Sequence, residues 1–155
     1  MRYTAHGWGE GELVFDGELL VHCELPRTRG DRHRGQSPPG DCPQRLAARL
    51  RDYFAGEPDS FADVEIELES TTDFQRAVTS ALRAVPYGET VTYGELAALA
   101  GHPGAQRAVG TFCAHNRFGV VVPCHRVLAA DGLGSYGSLG VSYKRRLLEL
   151  DGVAL

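Results

Sequence analysis

The sequence predicts a small α/β unit followed by a mostly helical unit that contains a helix-turn-helix. Three observations carry this expectation. Gly11 to Leu25 alternates apolar and polar residues around Asp16-Gly17, which is a two-residue hairpin signal. Residues 71 to 115 break into short helical stretches, the first two opened by capping residues. A boundary near residue 70 then gives domains of 1–69 and 70–155.

In chain order, the hairpin supplies two antiparallel strands. Arg27 to Gly40 is rich in Arg, Gly and Pro and almost free of apolar residues, so it reads as a loop. Its Arg27, Arg29, Arg32 and Arg34 suit either solvent or a polyanion. Asp41 caps a helix with Pro43 in its first turn; Leu46, Leu50 and Phe54 fall on one face, and Gly56 stops it. Phe61 to Glu69 alternates, with Val64, Ile66 and Leu68 on one side, and is expected to be a strand returning to the sheet.

Thr71-Thr72-Asp73 opens a second helix whose Phe74, Val78 and Leu82 share a face and which ends before Pro86. Thr92 and Glu95 form a capping box on a short helix that stops at Gly101. The turn Gly101-His102-Pro103-Gly104 leads into a further helix over about 105–115, completing the helix-turn-helix. That helix is built of small residues: Ala105, Ala108, Gly110, Thr111 and Ala114. They suit close approach to a narrow groove or plain packing against another backbone. A last helix carries Val141, Leu147, Leu148 and Leu150, with Lys144, Arg145 and Arg146 expected on exposed positions.

The 155 residues carry a net charge of −4, which by itself argues against a general nucleic-acid binder. The sum conceals an asymmetry. Residues 1–69 hold 8 Lys+Arg against 14 Asp+Glu, while residues 70–155 hold 8 against 6, so the second half is the more basic. No apolar run approaches the ~20 residues that span a bilayer, and Met1 to Gly7 lacks the apolar core of a secretory signal. A soluble cytoplasmic monomer is expected. Cys23, Cys42, Cys113 and Cys124 are expected to be reduced there, with Cys124 a free thiol. His6, His22, Cys23, His33 and Cys42 lack tight ligand spacing, so neither a metal nor a cofactor is expected.

The chemistry concentrates in Val120-Val121-Val122-Pro123-Cys124-His125-Arg126. The valine run suits a buried strand, ended by Pro123, which presents Cys124 at a rigid edge. His125 offers a base near neutral pH, and Arg126 adds a positive charge favouring thiolate. Successive residues of an extended chain face opposite ways, so His125 is expected to reach the sulfur through a water. A carboxylate on its far nitrogen would complete a relay.

Together with Thr92 to Gly101, Gln106-Arg107-Ala108-Val109-Gly110, Asn116 and Pro123 to Val127, this segment closely resembles the O6-alkylguanine-DNA alkyltransferases over roughly residues 70 to 152. The resemblance implies a ribonuclease-H-like N-terminal domain and a winged-helix-like C-terminal domain. It implies single-turnover transfer of an alkyl group from O6-alkylguanine, and from O4-alkylthymine, in double-stranded DNA to Cys124.

The resemblance also assigns roles. His125 and Asp151 become the relay, with Asp151 standing where the family has glutamate and Glu149 as the alternative. Tyr93 would donate to a guanine ring nitrogen, and Asn116 would hold the active-site turn together. Arg107 would fill the gap left by a flipped base, with Tyr93, Ala105, Ala108, Gly110, Thr111 and Arg126 also facing DNA in the minor groove. Val127 would accept from the guanine amino group, Tyr136 would wall the alkyl pocket, and Gly137 and Ser138 would complete it. Gly137 replaces a common serine, and the Tyr136 to Lys144 loop is one residue longer than usual. Two rivals are a lesion sensor, which lacks the reactive cysteine, and a Cys-His hydrolase, which has no need of Tyr93 and Arg107.

Overall fold

Asp16 pairs with Leu19 across a loop of Gly17 and Glu18, one residue later than the hairpin signal places it, with Gly17 at φ 61°. The computed structural model describes residues 1–28 and 42–155. These group into two compact units: Met1–Glu67 with Arg117–Gly119, and Leu68–Asn116 with Val120–Leu155. Three residues from the second half of the chain thus belong with the first unit. Arg29, Arg32, Arg34, His33 and the capping Asp41 lie outside the described residues.

In the first unit, strands β1 (Arg2–Ala5), β2 (Gly9–Asp16) and β3 (Leu19–Arg27) form an antiparallel sheet in the order β1-β2-β3. The strand β1 was not anticipated, because four residues are too few to show alternation. Gly11 is required where it stands: a Cβ would lie 2.4 Å from the Glu24 carbonyl oxygen and 2.5 Å from the Tyr3 ring. Helix α1 (Cys42–Phe54) buries Pro43, Leu46, Ala47, Leu50, Tyr53 and Phe54, and its Phe54 ring meets Trp8 at 4.9 Å. The helix therefore covers the sheet as its leucine spacing requires.

The expected strand over 61–69 does not form. Only Ile66 bridges, through Leu20 N–H to the Glu65 carbonyl and Glu67 N–H to the Leu20 carbonyl. Turn chemistry overrides the alternation. Asp59 accepts from the Phe61 N–H at 2.8 Å, and Arg49 forks onto both Asp59 and Asp63. Phe61 is consequently held at φ 52° with its ring buried. Alongside, Cys23 N–H donates to the Arg117 carbonyl at 2.8 Å, and a Cβ on Gly119 would collide with Leu25 at 2.5 Å.

In the second unit, helix α2 (Asp73–Arg83) opens on a complete capping box between Thr72 and Gln75 and buries Val78, Thr79 and Leu82. Strand β4 (Val91–Thr92) runs directly into helix α3 (Tyr93–Leu99), whose Thr92–Glu95 capping box is also complete. Helix α4 (Gln106–Ala114) packs on α3 as the second half of the helix-turn-helix. The short strand β5 (Val127–Leu128) lies parallel to β4, pairing Val91 with Val127 and Thr92 with Leu128. Helix α5 (Val141–Leu150) closes the unit.

Two expectations fail here. Val120 to Val122 is a fully buried turn, not a strand, with Val120 at φ 68°. The chain must reverse between α4 and the cysteine, and β-propensity yields to that requirement. In α5, Lys144 is completely buried while Val141 is exposed. The buried face is 144, 147, 148 and 151, a helical stripe that passes through a charged residue. Among the described residues no helix is long and apolar enough to cross a membrane.

Candidate functional site

Pro123 shapes the centre of the site. With φ −82° and ψ 64° it is the middle residue of an inverse γ-turn, closed by the Cys124 N–H donating to the Val122 carbonyl at 2.8 Å. A single 3-10 turn, Cys124–Arg126, follows, and then β5. The cysteine is therefore presented by two successive tight turns and not by the end of a strand. All three side chains of the turn are buried: Cys124 is 5 % exposed, His125 0 % and Arg126 3 %.

Asn116 ties this arrangement together. Its Nδ2 donates to the Val122 carbonyl at 2.9 Å and to Cys124 Sγ at 3.1 Å. One amide thus fixes the backbone of the γ-turn and the sulfur it presents. The Tyr136 hydroxyl also hydrogen-bonds the sulfur, and both contacts favour thiolate. Burial opposes them and wins, so the resting thiol is held above the ordinary cysteine range. A base is needed to draw the proton away.

His125 Nε2 stands 2.8 Å from Asp151 Oδ2. A carboxylate only accepts, so Nε2 carries the proton and Nδ1 is the basic nitrogen. Burial lowers the imidazole's affinity for a second proton, partly offset by Asp151, and the ring is neutral at rest. The same Asp151 oxygen accepts from Arg126 Nε at 2.8 Å. The aspartate, one methylene shorter than glutamate, reaches because α5 ends beside the 3-10 turn; Glu149 is exposed and takes no part.

Arg126 departs from both roles expected of it. Its guanidinium is committed to Asp151 and to the Val85 carbonyl at 3.0 Å, and it lies over the Tyr87 ring. Buried in this way, it cannot face a DNA backbone. Nor is it the cation acting on the thiol, since that charge comes from Lys144. Lys144 Nζ donates to the Val127 carbonyl at 2.6 Å and to the Ser135 carbonyl at 3.3 Å. The sequence held a signal for it: among 16 basic residues it is the only lysine, on the stripe shared with Leu147, Leu148 and Asp151.

Tyr93, the first residue of α3, is brought to the cysteine by the β4–β5 pairing. Burial and the nearby Cys113 and Cys124 sulfurs raise its phenol above the usual range, so it keeps its proton. A Cβ on Gly134, which sits at φ 75°, would lie 3.1 Å from the Tyr93 hydroxyl. The glycine-rich loop therefore packs against the phenol, and Gly137 and Ser138 form a 3-10 turn just after Tyr136. Cys113 on α4, expected from the sequence only to be reduced, is also pushed up by burial. All four cysteines are free thiols.

On α4, Arg107, Ala108 and Thr111 are exposed, Ala105 and Gly110 are half-buried, and open space surrounds the position of a Gly110 Cβ. The small residues do not serve internal packing of this unit; they make a low, accessible helix face. Among the described residues no cluster of three His, Cys, Asp or Glu side chains is placed to hold a metal.

A hydrogen-bonded cysteine backed by a His–Asp pair, in the same unit as a helix-turn-helix, defines a mostly helical fold built around a cysteine–histidine–aspartate site. Residues 73–153 match the family model of the 6-O-methylguanine DNA methyltransferase DNA-binding domain. The chain is 53 % identical over 104 residues to the methylated-DNA--protein-cysteine methyltransferase of Mycobacterium tuberculosis, covering 66 % of this chain and 61 % of that protein. The Mycobacterium leprae protein of the same name is 45 % identical over 141 residues, covering 90 % and 84 %. The crystal structure of Mycobacterium tuberculosis OGT in complex with DNA superposes with a TM-score of 0.79 at 41 % identity, over 97 % of this chain and 91 % of that one. The chain belongs to the 6-O-methylguanine DNA methyltransferase family.

Proposed function

We propose that this protein repairs DNA directly, moving the alkyl group of an O6-alkylguanine onto Cys124 in a single irreversible event. The observation that carries the reading is the chain of contacts Asn116–Cys124 at 3.1 Å and His125–Asp151 at 2.8 Å on one 3-10 turn. The Mycobacterium tuberculosis relative, whose structure is described as a complex with DNA, supports DNA as the partner.

The Cys124 proton passes to His125 Nδ1, directly or through one water, and Asp151 stabilises the imidazolium. The thiolate attacks the alkyl carbon; the S–C bond forms as the C–O6 bond breaks, and the electron pair leaves with guanine. Tyr93 donates to a guanine ring nitrogen as that charge develops, and the proton from the thiol finally replaces it on the restored guanine. The thioether contains no bond that water readily breaks, so Cys124 is not regenerated.

Reaching the alkyl carbon requires the base to leave the stack, at a cost of a few kcal/mol. Arg107 fills the vacated place while the low face of α4, Ala105, Ala108, Gly110 and Thr111, lies in the minor groove. Val127 accepts from the guanine amino group, Tyr136 walls the alkyl pocket, the Gly137 N–H reaches O6, and Ser138 closes the pocket edge; O4-alkylthymine fits the same chemistry. In this reading residues 1–69 form a ribonuclease-H-like domain, residues 70–155 form a winged-helix-like domain with all the chemistry, and the protein works as a cytoplasmic monomer.

The test is intact mass after mixing with excess duplex DNA containing O6-methylguanine, beside Cys124→Ala. A gain of one methyl group per chain, absent from the variant, is expected. Tight lesion binding without mass gain would replace transfer by lesion sensing.

A further inference from the structure

Asp151 is a short carboxylate, so the end of α5 has to lie close to His125, and the contacts that bring it there come from one turn far back in the chain. Val85 to Glu89, between α2 and β4, folds tightly: the Glu89 N–H donates to the Pro86 carbonyl at 3.1 Å, and Gly88 sits at φ 83°. Three residues of this turn meet the relay. The Val85 carbonyl accepts from Arg126 Nη1 at 3.0 Å. The Arg126 guanidinium lies 5.8 Å from the centre of the Tyr87 ring, and the Tyr87 hydroxyl donates to the Leu150 carbonyl at 2.7 Å across 63 residues of sequence. A Cβ on Gly88 would touch the Asp151 carbonyl oxygen at 3.4 Å.

The Tyr87 bond is aimed at the helix end itself, where carbonyls run out of helical partners. In α5 the carbonyls of Leu147, Leu148 and Glu149 accept from the N–H groups of Asp151, Val153 and Gly152, and that of Leu150 accepts from Tyr87. The Leu150 carbonyl belongs to the planar peptide that carries the Asp151 nitrogen, so a bond to its oxygen orients the aspartate's own backbone. Burial first, and then the Asp151 charge, raise the phenol above its ordinary range, so it keeps the proton it donates.

We propose that Tyr87 is a positioning residue for the alkyl transfer: its hydroxyl anchors the Leu150–Asp151 peptide and so holds a carboxylate on a one-methylene side chain within reach of His125 Nε2. The inference rests on the relay role given to Asp151 under the proposed function and adds what keeps that relay closed. Arg126 orients the carboxylate by its charge, while Tyr87 acts on the backbone behind it. With the phenol removed, the helix end is free to draw back. A withdrawal of about 1 Å turns the 2.8 Å contact between His125 and Asp151 into no hydrogen bond at all.

The test measures the rate constant of single-turnover methyl transfer at saturating lesion DNA, and the DNA dissociation constant, in the wild type, Tyr87→Phe, Asp151→Glu and the double variant. Tyr87→Phe keeps the ring beside Arg126 and removes only the donor. It is expected to slow transfer about 10–100-fold with DNA affinity retained. In the Asp151→Glu background the longer side chain spans the gap, and Tyr87→Phe is expected to cost less than about threefold. An unchanged rate in Tyr87→Phe, or the same loss in both backgrounds, overturns the proposal, because a merely structural phenol would not be rescued by side-chain length.

A second readout needs neither DNA nor the Asp151→Glu background. A buried imidazole N–H held by a carboxylate is a strong, charge-assisted donor whose proton resonates far downfield in NMR. The His125 Nε2 proton, identified by its loss in His125→Gln, should move upfield or vanish in Tyr87→Phe; an unmoved signal overturns the proposal. A wild type that gains no methyl group counts against the alkyl-transfer reading, whereas an unmoved proton counts against this inference, so the two failures are separately visible.

Discussion

His125 Nε2 and Asp151 Oδ2 stand 2.8 Å apart with both side chains wholly out of solvent. An asparagine at 151 would keep the shape and lose the charge, and its amide would favour the wrong imidazole tautomer. Asp151→Asn is therefore expected to slow single-turnover transfer by about 10²–10⁴-fold. Asp151→Glu, the residue that the sequence resemblance places there, pushes an extra methylene into a filled space and is expected to cost about 1–3 kcal/mol in a denaturant titration without raising the rate.

Arg126 and Arg107 are expected to separate cleanly. Arg126→Met strands a buried carboxylate next to His125 and should cost about 3–5 kcal/mol of stability by urea unfolding. Arg107 is exposed, so Arg107→Ala should leave stability within about 0.5 kcal/mol. Its effect should appear in DNA binding, weakened at every salt concentration. The reverse pattern would show that Arg126, not Arg107, meets the nucleic acid.

Gly134→Ala is expected to slow transfer more than it destabilises the fold. The new methyl would lie 3.1 Å from the Tyr93 hydroxyl on a backbone at φ 75°. The phenol would be displaced from its place beside the cysteine. A rate loss of about tenfold or more, with lesion-DNA affinity retained, is the expected signature.

Stability should fall on both sides of a neutral plateau. Below the ordinary histidine value of 6.5, the unfolded chain takes up protons that buried His125, and to a lesser degree His22, resist in the folded state. More protons on the unfolded state mean that stability drops as pH falls through that window. Above the ordinary thiol value of 9.0 the sign reverses: unfolded cysteines ionise while Cys23, pushed up to about 12, and Cys124 stay protonated. Urea titrations from pH 5.5 to 10 should show the plateau. His125→Gln should flatten its acid side more than His22→Gln.

Local signals survived folding where their chemistry is local. The Thr92–Glu95 capping box closes within one turn and formed as written, and so did the leucine face of α1. Val120 to Val122 and 61–69 failed because side chains outside each segment, Asn116 six residues before Val122 in one case and Arg49 on α1 in the other, hold bends in segments that look extended. At the site, Cys124, His125, Asp151, Asn116, Tyr93 and Tyr136 were nameable from motif order. Arg126 was misread because adjacency in sequence suggested adjacency in charge, whereas its 3-10 turn aims it at Asp151. Lys144 was misread because a charged helix residue is ordinarily solvated; its helical stripe was the better guide.

The two-residue ladder between β4 and β5 has a wider consequence. Val91 with Val127 and Thr92 with Leu128 set Tyr93 against the cysteine turn through backbone alone. The Gly101 to Gly104 turn, which sets how α4 is offered to a partner, lies outside that ladder. Under the proposed function, lengthening or recomposing this turn would alter which nucleic-acid shapes are gripped without altering the distance between phenol and thiol. Grip and reaction are therefore separable traits, and variation can adjust one while conserving the other.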